Sequence, residues 1–266
     1  MPKKSTLAIL EEIRQENARR AALTRADLER EYEAVKQGGF DIGDVLEFQA
    51  DLTGSNQLEY HYELVLEDWK RDRRDQLDME HSFISRHRAA QDFLFPLLDE
   101  KDEFEAVHIA HMIARSFYYI SPMEARERLV PYLLRYAEVD SAGLRRLVII
   151  ALGWVYAENR LREEIECLCR HLESDEDSLC RAWSASAMMQ LYFRDAPPEV
   201  IREISLPTFR RILETEANVF ALGVAIESLG VIWNKKFRLS QVAVDREDRK
   251  TIEKAKKSAI RFLSKL

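Results

Sequence analysis

An all-α fold, built as a stack of helical hairpins, is what this 266-residue sequence predicts. Three observations carry it. Apolar residues recur three and four positions apart along most of the chain, the period of an amphipathic helix. Glycine and proline number only 8 and 7, few for a strand-rich or loop-rich protein. From about Ser85 onward one order of features returns: an amphipathic helix, a short acidic turn, then a second helix.

The first 84 residues read as a helical extension. Leu7, Leu10 and Ile13 share one helix face. Thr24 suits an N-cap, with Asp27 three residues on, and Leu28, Tyr32 and Val35 continue that helix until Gly38-Gly39 stops it. A short amphipathic piece spans Val45 to Leu52. Leu58 to Trp69 fits a strand by alternation and a helix by period. The helix is preferred because no turn former follows in Glu67 to Arg74. The basic run Lys70 to Arg74 reads as a solvated helix face, as do His81 and His87 among their charged neighbours.

Residues 85–234 carry four expected hairpins. Pro96, Pro131 and Pro207 each sit inside an amphipathic helix, 35 and 76 residues apart. The gap between the second and third is filled by Cys167-Leu-Cys-Arg-His-Leu, which has no proline. Acidic turns follow, including Asp99 to Asp102 and Ser174 to Asp177. Acids there cap a helix N-terminus and favour its dipole. The second helices begin near Ala106, Leu144, Cys180 and Ala221, spaced 38, 36 and 41 residues. Residues 235–266 read as a linker and a closing amphipathic helix bearing Ile252, Ala255, Ala259, Ile260 and Leu263.

These segments resemble the HEAT-repeat family. Leu144-Arg145-x-x-Val148-x-x-Ala151-Leu152-Gly153 looks like its second-helix pattern. Asp175-x-Asp177-x-x-Cys180-Arg181 resembles its turn and helix entry, and Ala225-x-x-Ser228-Leu229-Gly230 its small-residue ending. The resemblance implies a right-handed α–α superhelix, as in small bacterial HEAT-repeat proteins. It also implies pairing of acidic residues with arginines between repeats. The first repeat departs from the pattern, with Ala106-Val107 where an apolar-Arg entry is expected.

Composition narrows function without assigning it. A net charge of −7 works against a large phosphate-backbone interface, so a nucleic-acid partner is disfavoured. No apolar run reaches the ~18 residues of a membrane helix, and the basic start turns acidic too soon for a signal peptide. A cytoplasmic chain is expected. The three cysteines read as buried thiols in a reducing compartment. No phosphate loop, nucleophile elbow or paired Cys-x-x-Cys is present, so no catalytic residue, metal or cofactor is assigned. His108 and His111, one turn apart, lack an identifiable third ligand.

The second helices give the candidate site. The residues two, five and nine positions after the starts above point away from the core stripe. They are His108, His111 and Arg115; Arg146, Ile149 and Gly153; Ala182, Ala185 and Met189; and Gly223, Ile226 and Gly230. Glu227 lies at the edge, and Trp154 and Trp183 stand nearby as anchors. In HEAT-like stacks this side lines a concave groove. Apolar residues there imply that the chain's own termini cover them, that helices pack tightly, or that a partner binds.

A non-enzymatic protein-binding scaffold leads the expectations. The family resemblance extends this to an immunity-type protein neutralising a toxin. Two alternatives stay open. One is a HEAT-like DNA glycosylase for alkylated bases, using Glu227 with His108, His111, Arg115 and Arg146. The other is a chromophore-lyase role for a pocket near His111, Trp154 and Trp183.

Overall fold

The computed structural model describes residues 6–71, 76–117 and 122–266. Every element among them is helical. The chain divides into two compact units, Met1–Pro96 and Leu97–Leu266.

The first unit contains α1 (Thr6–Ala21), α2 (Arg25–Gln37), α3 (Ile42–Gly54), α4 (Leu58–Trp69), α5 (Met79–Ile84) and α6 (Arg88–Leu97), the last ending at the unit boundary. Thr24 and Asp27 form a reciprocal capping box at α2. The ambiguous Leu58–Trp69 segment is helix throughout. It buries Tyr60, His61, Tyr62, Leu64 and Val65, a set that no single strand face could present. Of the basic run, Asp72–Arg74 lies outside the described residues. Arg71 is not a free surface charge, since it donates to the Tyr32 hydroxyl and to Glu67. His81 and His87 are exposed as expected. Their neighbour Arg86 turns inward, donating to the Leu52 and Ser55 carbonyls and to His61 Nδ1. It thereby satisfies the carbonyls at the end of α3.

The second unit contains α7 (Glu103–Ser116) and three hairpins. These are α8 (Met123–Tyr136) with α9 (Ala142–Trp154), α10 (Leu161–Ser174) with α11 (Ser178–Phe193), and α12 (Pro198–Thr215) with α13 (Val219–Ile232). Second helices pack in order, α7 on α9, α9 on α11 and α11 on α13, while α10 packs on α8 and α12. All four expected second helices form, and Pro131 and Pro207 lie inside α8 and α12. The polar stretch after Trp233 contains α14 (Gln241–Asp245) before α15 (Arg249–Leu263). Both pack on α13, and α15 also on α12, so they close the stack with Val244, Ile252, Ala255, Ala259 and Leu263 buried. One continuous core results, because no hairpin can bury its apolar stripe alone.

Two ion-paired junctions bind consecutive hairpins. Arg145 at the start of α9 donates to both carboxylate oxygens of Asp175, at 3.0 and 2.9 Å, and to the Val139 and Asp140 carbonyls of its own turn. Arg181 repeats this one hairpin later. It donates to both oxygens of Glu216, at 2.7 and 3.0 Å, and to the Asp175 and Glu176 carbonyls. Each acid also accepts a backbone N–H two residues on, from Asp177 and Asn218. Bidentate pairing of this kind fixes geometry as well as charge. The equivalent positions at the preceding junction hold Ala106 and Val139, both buried.

Candidate functional site

The N-caps of the second helices define their common register. They are Asp102, Ser141, Asp177 and Asn218. Counted from these caps, one stripe on each helix reaches solvent. It holds His108, His111 and Arg115 on α7; Leu147, Ile150 and Trp154 on α9; Trp183, Ser186 and Gln190 on α11; and Val224, Glu227 and Val231 on α13. Trp183 is 39% exposed, and Phe193, the next position along the α11 stripe, is 57% exposed.

This corrects the register read from sequence on three of the four helices. Anchoring on Ala106 aligned α7 one residue late relative to its cap. His108, His111 and Arg115 are therefore placed as expected, but the set on α9, α11 and α13 is one residue off, a turn of about 100°. Ile149 is consequently fully buried and does not face a partner. Gly153, Ala182, Ala185, Gly223 and Ile226 are buried as well. Trp154, Trp183 and Glu227 lie on the solvent-reaching stripe, with Arg146 and Met189 beside it.

The small residues have a packing role. A Cβ on Gly153 would lie 2.7 Å from the Ala187 Cα, so α9 and α11 approach backbone to backbone there. A Cβ on Gly223 would meet Val244 and Ile252 at 3.1 and 3.3 Å. The apolar floor expected of a groove is thus covered, by a neighbouring repeat at one end and by α14 and α15 at the other.

The stripe changes character along the stack. On α7 it is cationic or titratable, with His108 against Phe104 at 4.6 Å between ring centroids. His111 meets Trp154 of α9 at 5.2 Å, with ring planes tilted by 49°, so the α7 and α9 stripes adjoin. Across α9 and α11 it is aliphatic and aromatic. On α13 it carries the half-buried Glu227. Burial first, and repulsion from Asp245 second, raise the Glu227 carboxyl above its ordinary pKa. Arg146 bonds the Ala142 carbonyl and sits 3.9 Å from Asp177, beside the α11 N-terminus.

Leu147, Ile150 and Phe193 were missed by sequence reasoning, as was Arg126 on α8. Burial, then repulsion from Arg194, lowers the Arg126 pKa. Cap alignment would have found the first two, since Ser141 and Asp177 are legible N-cap residues. No sequence signal brings Arg126 to Arg194. His108 and His111 belong to no three-ligand cluster among the described residues. No described helix is long and apolar enough to cross a membrane.

No family model, no curated protein and no solved structure matches this chain.

Proposed function

We propose that the chain is a protein-binding helical-repeat scaffold of HEAT-like type, and that the stripe centred on α9 and α11 receives the partner. One observation carries this reading. Trp183 and Phe193 stand exposed on one helix face, continuous with Leu147, Ile150 and Trp154 on the neighbouring helix. Large aromatic side chains at the centre of a surface are the groups that dominate binding energy when desolvated. The apolar centre is flanked by His108, His111 and the cationic Arg115 on α7 and by Glu227 on α13, which would set orientation more than affinity. The net charge of −7 suits a basic protein partner. An immunity-type role against a basic toxin is the specific form of the proposal.

The test is recovery of the tagged chain from its native lysate at low salt and at ~0.5 M salt, where surface charge attraction is screened. One stoichiometric protein should survive high salt and be lost from Trp183→Ala. That substitution should weaken binding by about 30-fold or more, on the scale of a hot-spot residue. Its thermal midpoint should stay near that of the parent, because Trp183 is outside the core. Retention of the same protein by Trp183→Ala would exclude this face. Recovery of nucleic acid alone, lost as salt rises, would replace the protein-scaffold reading with a nucleic-acid one.

A further inference from the structure

We propose that His171 and Cys167 of α10, with Glu138 of the turn between α8 and α9, form a site for one divalent metal ion of zinc-like preference. The proposal is independent of the solvent-facing stripe. A ring nitrogen of His171, the Cys167 sulfur and a Glu138 carboxylate oxygen all lie within 4.8 Å of one another. Cys167 and His171 are four residues apart on one helix, so they share a face. Glu138 reaches them from the adjacent hairpin.

The state of His171 is the second, separate observation. Its side chain is 7% exposed, and Nδ1 lies 2.9 Å from Asp175 Oδ2. Both Asp175 oxygens are held by Arg145, and one also by the Asp177 N–H, so this carboxylate is an acceptor to which His171 Nδ1 donates. The other ring nitrogen, Nε2, is buried and has no hydrogen-bond partner. A buried polar atom without a partner costs free energy. A metal ion would satisfy it. A carboxylate on the far nitrogen of a ligating histidine fixes the tautomer and ring orientation that metals require. Here that carboxylate is itself locked by the bidentate Arg145 pair.

The ligand types suit zinc or cobalt, one sulfur, one imidazole and one carboxylate, with a fourth position open to water. Neighbouring ligand atoms around a tetrahedral zinc are about 3.5 Å apart, given bonds of about 2.0–2.3 Å. No two of the present ligand atoms are more than 4.8 Å apart, so closing to that spacing needs a shift of at most about 1.3 Å for any pair. The exposed Glu138 side chain can supply it by leaving its 3.2 Å surface pair with Arg170, an interaction worth little. Burial pushes the Cys167 thiol up to about 12, so the metal-free chain holds it protonated. Coordination forms the metal–sulfur bond and releases that proton to solvent. Cys169 does not take part. It points toward Thr208 and lies 3.9 Å from the Met188 sulfur, so the Cys-x-Cys pair is not a chelate.

The test is titration of the reduced, chelator-treated full chain with Co2+, followed by displacement with Zn2+. One Co2+ per chain should bind, with a thiolate-to-cobalt charge-transfer band in the near ultraviolet that Zn2+ removes. Cys167→Ser should abolish the band, and Cys169→Ser should keep it. Glu138→Gln, an exposed substitution with no folding burden, should weaken binding by about tenfold or more. Absence of the band in the parent chain would overturn the site. So would its persistence in Cys167→Ser, or a Glu138→Gln titration that matches the parent. Should Cys167→Ser fail to fold, the Glu138→Gln titration still decides.

Discussion

Two kinds of junction join the repeats of the second unit. At one, between α7 and the α8–α9 hairpin, the equivalent positions hold Ala106 and Val139. At the next two they hold Arg145 with Asp175 and Arg181 with Glu216. The helices stack in the same order across all three. Charge is therefore not required for stacking as such. Ion-paired junctions must recover the cost of burying carboxylates that are only 2% exposed. They do so with bidentate arginine, an added backbone N–H and arginine-capped carbonyls. The difference teaches that apolar burial suffices to stack α7 on α9, while the arginine pairs add a fixed bidentate geometry at the next two junctions.

Breaking a pair from one side should give the largest effect. Arg181→Ala leaves Glu216 buried without its partner and should destabilise by about 3–5 kcal/mol, read by urea or thermal unfolding. Imitating the apolar junction sharpens the comparison. Arg181→Ala combined with Glu216→Val should cost clearly less than Arg181→Ala alone, leaving about 1–2 kcal/mol for the Asn218 N–H and the Asp175 and Glu176 carbonyls that lose their partners. A double variant as unstable as the single one would mean that the pair contributes attraction and not only geometry.

Acid should act on the two ion-paired junctions and spare the apolar one. The Asp175 carboxyl is held at about 2, and Glu216 is also lowered against the opposing effect of burial. Their unfolded values are about 3.9 and 4.3. A lowered folded value stabilises above the unfolded pKa and loses that contribution as pH falls through the folded one. Stability should thus decline from about pH 5 toward pH 2, by about 2 kcal/mol for Asp175. Hydrogen exchange should rise first at the α10–α11 and α12–α13 turns. A uniform rise that includes α7 would contradict this.

A smaller effect of opposite sign comes from Glu164. It is fully buried, with Oε1 accepting from the Ala157 N–H at 3.3 Å and Oε2 unpartnered. Burial raises its pKa well above the ordinary value, so this carboxyl opposes folding increasingly as pH rises past its unfolded value. Glu164→Gln, which keeps the shape of the neutral form, should raise the thermal midpoint by a few degrees at pH 8 and hardly at all at pH 4. An equal change at both values would show that ionisation is not the cause.

Much of this fold was legible because helix signals are local. Leu58–Trp69 resolved to helix, the four second helices formed over their apolar periods, and the closing helix kept its buried face. The arginine pairing expected from Arg145 and Arg181 is present, and its absence at the first repeat follows from Ala106. The candidate site was less legible. Six expected residues, His108, His111, Arg115, Trp154, Trp183 and Glu227, lie on the stripe, while Ile149 is core. The error came from aligning helices by apolar residues instead of by caps. A shift of one residue is a small error in sequence and about 100° in space.

Local chemistry alone determined the helices, their caps and the recurrence of one hairpin, since each depends on neighbours a few residues apart. Tertiary structure decided which small residues were covered, with Gly153 closed by Ala187 and Gly223 by Val244 and Ile252. It also brought Glu138 to Cys167 and His171, and Asp175 to Arg145. Those meetings depend on how one hairpin sits against the next, which is set by packing across the stack and not by the period of any single helix.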